Sequence, residues 1–169
     1  PLHAGFFHAA AATETYTAEL LALGMLSVAL QGSESAWKEL GRSPELVEQC
    51  LRDSAGVAEL ASRYRYAERM AVIGRGYNYA TAFELALKLK ELAYLAAEPS
   101  SSADFRHGPI AIVAEGFPML LIAPKGKTLP DLRALSGELK QRRAEILAIS
   151  NDRSILRQAR CPMPLPGNL

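Results

Sequence analysis

Two carboxylates and an ammonium recur at helical spacing in one stretch of the chain, Glu84, Lys88 and Glu91 within Phe83-Glu-Leu-Ala-Leu-Lys-Leu-Lys-Glu91. At about 100° per residue the three fall within an arc of roughly 60° on one helix face, and Leu85, Leu89 and Leu92 lie well away from it. A carboxylate placed there would feel burial raising its pKa and the neighbouring Lys88 lowering it, the opposing influences that set a general base near neutrality. The same spacing also fits a plain surface ion-pair face.

Two further groups bear on such chemistry. His107, ahead of Gly108-Pro109, is one of three histidines, with His3 and His8. Its imidazole can move a proton near neutral pH, and the same position suits a capping residue. Gly74-Arg75-Gly76 follows an apolar run and opens the helix, where free backbone N–H groups, the helix dipole and Arg75 favour an anion. A tight strand-to-helix turn accounts for the same residues. The third glycine and the acidic ribose partner of a dinucleotide site are missing.

The elements that must position these groups follow from periodicity. Met70–Ile73, Met119–Ala123 and Ile146–Ile149 are compact apolar runs ending in turn residues, and helical patterns over 79–95 and 129–143 lie between them. Residues 94–97 read as further helical turns, apolar on most sides, so the helix is expected to be flanked by protein. Continuous rather than alternating apolar strands indicate a parallel sheet covered on both faces, an α/β fold with its ligands beyond the carboxyl ends of the strands. The loops 74–76, 124–127 and 150–153 are therefore the ones to inspect.

Upstream, Thr13 is positioned to cap a helix whose apolar residues occupy much of its circumference and which Gly32 stops. Such a helix needs a buried surface or another copy of itself. Short helices over 35–40, 44–52 and 57–64 make residues 33–66 a helical connector.

The chain has 169 residues, 49% apolar, with a formal net charge of +1, which suits one compact α/β unit with a real core. Its Lys and Arg residues are scattered among acids, so no nucleic-acid partner is expected. Cys50 and Cys161 are far apart and lack metal-ligand spacing, which points to reduced thiols, and no metal or cofactor motif is present. No run approaches a membrane span and no signal peptide opens the chain, so a cytoplasmic protein without a membrane partner is expected.

Gly-Arg-Gly-Tyr, the Glu84–Glu91 helix, the Ser100–Ser102 segment and Arg106-His-Gly-Pro-Ile occur in one register. In that register, from about Ala10 to Asn151, the chain resembles the second half of the double sugar-isomerase (SIS) proteins. The resemblance implies a three-layer sandwich with a flavodoxin-like parallel sheet. It divides the chain into residues 1–66, the tail of a first SIS half and a connector, and residues 67–169, the second SIS unit.

It also implies acid/base isomerisation between fructose 6-phosphate and glucosamine 6-phosphate, of the synthase or the deaminase type. Glu91 matches the general base, His107 the group that assists ring opening, and Lys88 and Glu84 the supporting residues. Ala10, Ala12 and Thr13 match positions that contact the sugar. Here the chain reads Ala10-Ala-Ala-Thr-Glu14, without the family's serine-type hydroxyl and with Glu14 in place of lysine. The implied partners are a phosphosugar and a second subunit, since the histidine of relatives reaches a neighbour's site. The phosphate loops of the first half would precede Pro1. A non-catalytic sugar-phosphate-binding module is the alternative reading.

Overall fold

The computed structural model describes residues 12–167. The chain divides into two compact units, Pro1–Gln49 and Cys50–Leu169.

In the first unit, α1 (Thr13–Gln31) ends where Gly32 takes the left-handed conformation, φ 65°, and its N–H donates back to the carbonyls of Val28 and Ala29. Ala12, not Thr13, occupies the N-cap position, and no side chain caps the helix. The Thr13 hydroxyl is one residue too late for that role, because its residue is already helical and its carbonyl accepts from the Thr17 hydroxyl. α2 (Glu34–Leu40) is capped by Ser33, whose Oγ accepts from the N–H of Ala36. Leu40 closes against Gly24, where an added Cβ would lie 3.3 Å from Leu40 Cδ1. α3 (Ser43–Asp53) carries the chain into the second unit.

There, α4 (Val57–Ala61) and a 3-10 turn (Ser62–Tyr64) lead into a five-stranded sheet. Its strands are β1 (Arg69–Gly74), β2 (Ala96–Ser101), β3 (Pro118–Ile122), β4 (Glu145–Ser150) and β5 (Cys161–Pro164), all parallel, in the order β2-β1-β3-β4-β5. The connecting helices are α5 (Tyr77–Ala93), α6 (Ser102–Arg106), α7 (Leu129–Gln141) and α8 (Arg153–Leu156).

Alternate residues of each central strand serve opposite layers. Ala71, Ile73, Met119, Leu121, Ile146 and Ala148 pack with α6, α7 and α8, whereas Met70, Val72, Leu120, Ile122 and Leu147 pack on the α5 side. Leu132, Leu135 and Leu139 of α7 are wholly buried, each contributing about 1.5–3 kcal/mol over an exposed position. On α5 the fully buried residues are Ala82 and Ala86, small enough for a close approach to the sheet, with Leu85 and Leu89 packed beside them. From β1 the chain winds one way to β2 and the other way to β3, β4 and β5. Right-handed crossovers then put α5 on one face and α7 on the other. This is the flavodoxin-like order, with its switch point between β1 and β3.

The sequence reading departs from the structure around residue 94. The residues expected to continue the helix instead form β2, after Tyr94 ends α5 in the left-handed conformation, φ 53°. Tyr94 is 91% exposed, so within the second unit the described residues do not flank this end of α5. Ala-Ala-Glu-Pro-Ser-Ser carries no β-branched signal, and Pro99 is tolerated because β2 is an edge strand. β5, with Pro162 and Pro164, is the other edge and went unread for the same reason.

Candidate active site

α5 presents Glu84, Lys88 and Glu91 on one face, as their spacing predicts. Lys88 Nζ donates to Glu91 Oε2 at 2.8 Å and lies 3.5 Å from Glu84 Oε1. The cation is the most covered of the three, its side chain 15% exposed against 34% for Glu91. The hydrogen bond to Glu91 raises the Lys88 pKa above the ordinary lysine value, against the opposing effect of burial and with further support from Glu84. Two carboxylates therefore share one persistent positive charge. Phe83, Leu87 and Leu92, flanking the stripe, are exposed.

The Gly74-Arg75-Gly76 turn stands at the other end of this helix. Gly74 admits no side chain, since a Cβ would lie 2.1 Å from the Asn78 carbonyl oxygen, and Gly76 has φ 58°. From Tyr77 to Glu91 the helix rises about 21 Å at 1.5 Å per residue. The turn thus lies at the carboxyl edge of the sheet and Glu91 toward the amino edge. A single hexose phosphate is too short to span them.

Arg75 has protein partners of its own. Its Nη1 donates to Ser101 Oγ at 3.3 Å, and its Nε lies 3.9 Å from Asp131 Oδ2. Asp131 also accepts from Arg106 and from the buried Ser102 hydroxyl. Burial would raise its pKa, but the hydrogen bonds from Ser102 and Arg106 and the positive charges of Arg106 and Arg75 hold it below the ordinary carboxylate range. Arg106 reaches Glu138 Oε1 as well, at 3.0 Å. This polar clamp ties β1, β2, α6 and α7 together at the switch point. No local pattern marks Arg106, because its partners are 25 and 32 residues away. Beside it, the Lys125 N–H donates to Asn151 Oδ1 at 2.7 Å, joining the other two loops at this edge.

His107 closes α6, its N–H donating to the Asp104 carbonyl at 3.0 Å, while the residue stays exposed. Ser101 caps the same helix through the N–H of Asp104. The hydrogen bonds of Glu84, Lys88 and Glu91 stay within α5, and none reaches His107. Thr13 and Ala12 open α1 in the first unit, and Ala10 lies outside the described residues.

Residues 63–166 match the model of the SIS domain. The chain belongs to the SIS domain family. It is 38% identical over 155 residues to the glutamine–fructose-6-phosphate aminotransferase (isomerizing) of Pyrococcus horikoshii, a match that covers 89% of this chain and 26% of the relative. The C-terminal domain of glucosamine-fructose-6-phosphate aminotransferase from Francisella tularensis shares the fold, with a TM-score of 0.81 at 24% identity over 90% of this chain and 46% of that one. Tagatose-6-phosphate ketose/aldose isomerase from Escherichia coli aligns with a TM-score of 0.59 at 26% identity, covering 72% of this chain and 35% of that one. The SIS chain thus spans about a quarter of the length of the curated relative. Among its described residues no helix is long and apolar enough to cross a membrane.

Proposed function

We propose that this SIS chain carries the proton-transfer helix of a sugar-phosphate isomerising protein, one that interconverts an aldose and a ketose 6-phosphate in amino-sugar metabolism. The observation that carries this reading is the Glu84–Lys88–Glu91 group, two carboxylates sharing one ammonium on a partly covered face of α5. Glu91, the more exposed of the groups that Lys88 holds, removes a proton next to the substrate carbonyl. Lys88 keeps its charge and stabilises the developing negative oxygen, and Glu84 holds Lys88 in place. His107 serves ring opening in the site of a second subunit. The synthase and deaminase types share this chemistry and differ in the source or fate of the amine. The relatives named above support the substrate class.

The separation of Glu91 from the Gly74–Gly76 turn supports a divided site, in which the phosphate is held by loops outside the second unit. One observation favours the non-catalytic alternative: Ala12 stands where a sugar-binding hydroxyl is expected.

The test is hexose 6-phosphate turnover by the longer protein. Glu91→Gln should cost roughly 10²–10⁴-fold with the fold retained. Unchanged turnover would sink the assignment. The 169-residue chain alone should be silent and should bind glucosamine 6-phosphate weakly by calorimetry.

A further inference from the structure

The topology leaves one face of the sheet thinly covered. Because β3, β4 and β5 succeed one another in a single direction, α7 and α8 lie on the far side, and no crossover helix covers these strands on the α5 side. Within the second unit, α4, the 3-10 turn and the loop before them reach across. The result is a cavity of about 390 Å³.

Its floor is apolar, made by Met70, Leu120 and Leu147, and its walls are Leu85 and Leu89 of α5 and Leu60 of α4. Two polar groups at one side are already satisfied by each other: the Tyr64 hydroxyl and Cys161 Sγ are 3.0 Å apart. Tyr64 also donates to Glu145. An apolar space of this kind does not hold water well, and its volume corresponds to about a dozen groups at about 30 Å³ each. It is in the range of small-molecule sites, apolar with a few placed polar groups.

The two arginines beside Tyr64 differ. Arg63 is committed to Glu145, with its Nε 2.5 Å from Glu145 Oε1. Arg65, which also lines the cavity, stacks on the Tyr66 ring at 5.1 Å and has no carboxylate partner among the described residues. A half-open apolar cleft with an exposed guanidinium at its rim suits a molecule with an apolar body and an anionic end.

We infer that this cavity binds a small free amphipathic carboxylate, an unbranched acyl chain of about eight to ten carbons whose tail fills the chamber and whose carboxylate pairs with Arg65. The site is distinct from the polar stripe of α5, because Leu85 and Leu89 belong to another face of that helix. It does not depend on the reading of Glu91.

Decanoate, decanol and acetate, titrated calorimetrically into the 169-residue chain below micelle-forming concentration, test the inference. Decanoate should bind saturably, one per chain, with micromolar affinity, decanol about tenfold more weakly, and acetate not at all. Leu89→Trp or Met163→Trp, each filling the chamber from a different side, should lower decanoate affinity at least about tenfold. Circular dichroism identifies which of the two stays folded. Arg65→Gln should bring decanoate down to the level of decanol and leave decanol unchanged. Absence of saturable decanoate binding, or equal binding by a folded chamber-filled variant, overturns the site. A decanoate preference that survives Arg65→Gln overturns the pairing.

Discussion

Lys88 Nζ lies 2.8 Å from Glu91 Oε2, three residues along α5, while holding Glu84 at 3.5 Å on the other side. The two acids are coupled through this one cation, so substitutions at its ends should not act independently. On the proposed function, Lys88→Met should lower hexose 6-phosphate turnover by the longer protein roughly 10–100-fold, and Lys88→Met/Glu91→Gln should be little worse than Glu91→Gln alone. Single-turnover rates of the three variants measure this. Multiplicative losses would mean that the groups act separately. Because the Lys88 pKa is raised, its charge should persist through the neutral and mildly alkaline range, and no loss of rate there should trace to it.

Acid should unfold the second unit through a small set of carboxylates. Asp152 caps α8, accepting from the N–H groups of Ser154 and Ile155 at 3.1 Å each and from Arg133 Nη2 at 2.6 Å. The hydrogen bond from Arg133 holds its pKa far below the ordinary carboxylate value, against the opposing effect of burial. Glu145 is lowered in the same way, first by its hydrogen bond from Arg63. A group with a depressed folded pKa stabilises fully above its unfolded value, about 3.9 for Asp, and that stabilisation is lost as the pH falls toward the folded value. Stability should therefore hold down to about pH 5 and fall steeply below about pH 4. Asp152→Asn should flatten the decline. Urea midpoints across the acid range provide the measurement.

What the sequence disclosed and what it hid divide along physical lines. The strands buried on both faces, β1, β3 and β4, are continuous apolar runs and were legible, as were α5 and α7. The edge strands β2 and β5 carry Pro99, Pro162 and Pro164 and little β-branched character, so no local signal marked them. The candidate stripe on α5 was legible because it is periodic on one helix. The Asp131 clamp was not, since Arg75, Ser102 and Arg106 meet it only after the sheet has formed. Nor did local spacing reveal that Arg75 and Glu91, on or next to the same helix, stand at opposite ends of it.

Opposite effects are expected at the two ends of α5. Gly74→Ala puts a methyl into the Asn78 carbonyl, so something in the turn must shift, at a cost of roughly 1–3 kcal/mol. Tyr94 is an exposed non-glycine residue with φ 53°, a conformation that costs L-residues about 1–2 kcal/mol and that glycine adopts freely. Tyr94→Gly should raise stability by about 0.5–1 kcal/mol, the remainder being offset by the entropy of a more flexible unfolded chain. Denaturation midpoints for both variants decide the matter. A destabilised Tyr94→Gly would show that the ring has contacts outside the chain.

The chain should associate with itself through its first helix. α1 has no fully buried residue, and Leu20, Leu23, Met25, Leu26 and Leu30 are all exposed, Leu30 at 81%. Contiguous apolar surface of more than a few hundred Å² is unusual on soluble monomers, and a symmetric dimer is the commonest way of covering it. Sedimentation at micromolar concentration should report a dimer or larger. Leu23→Glu/Leu26→Glu/Leu30→Glu should return a monomer, because each charge would have to be buried without a partner at the interface. If the unsubstituted chain sediments as a monomer, the association claim fails, and the placement of His107 in a second subunit's site loses its support in this chain.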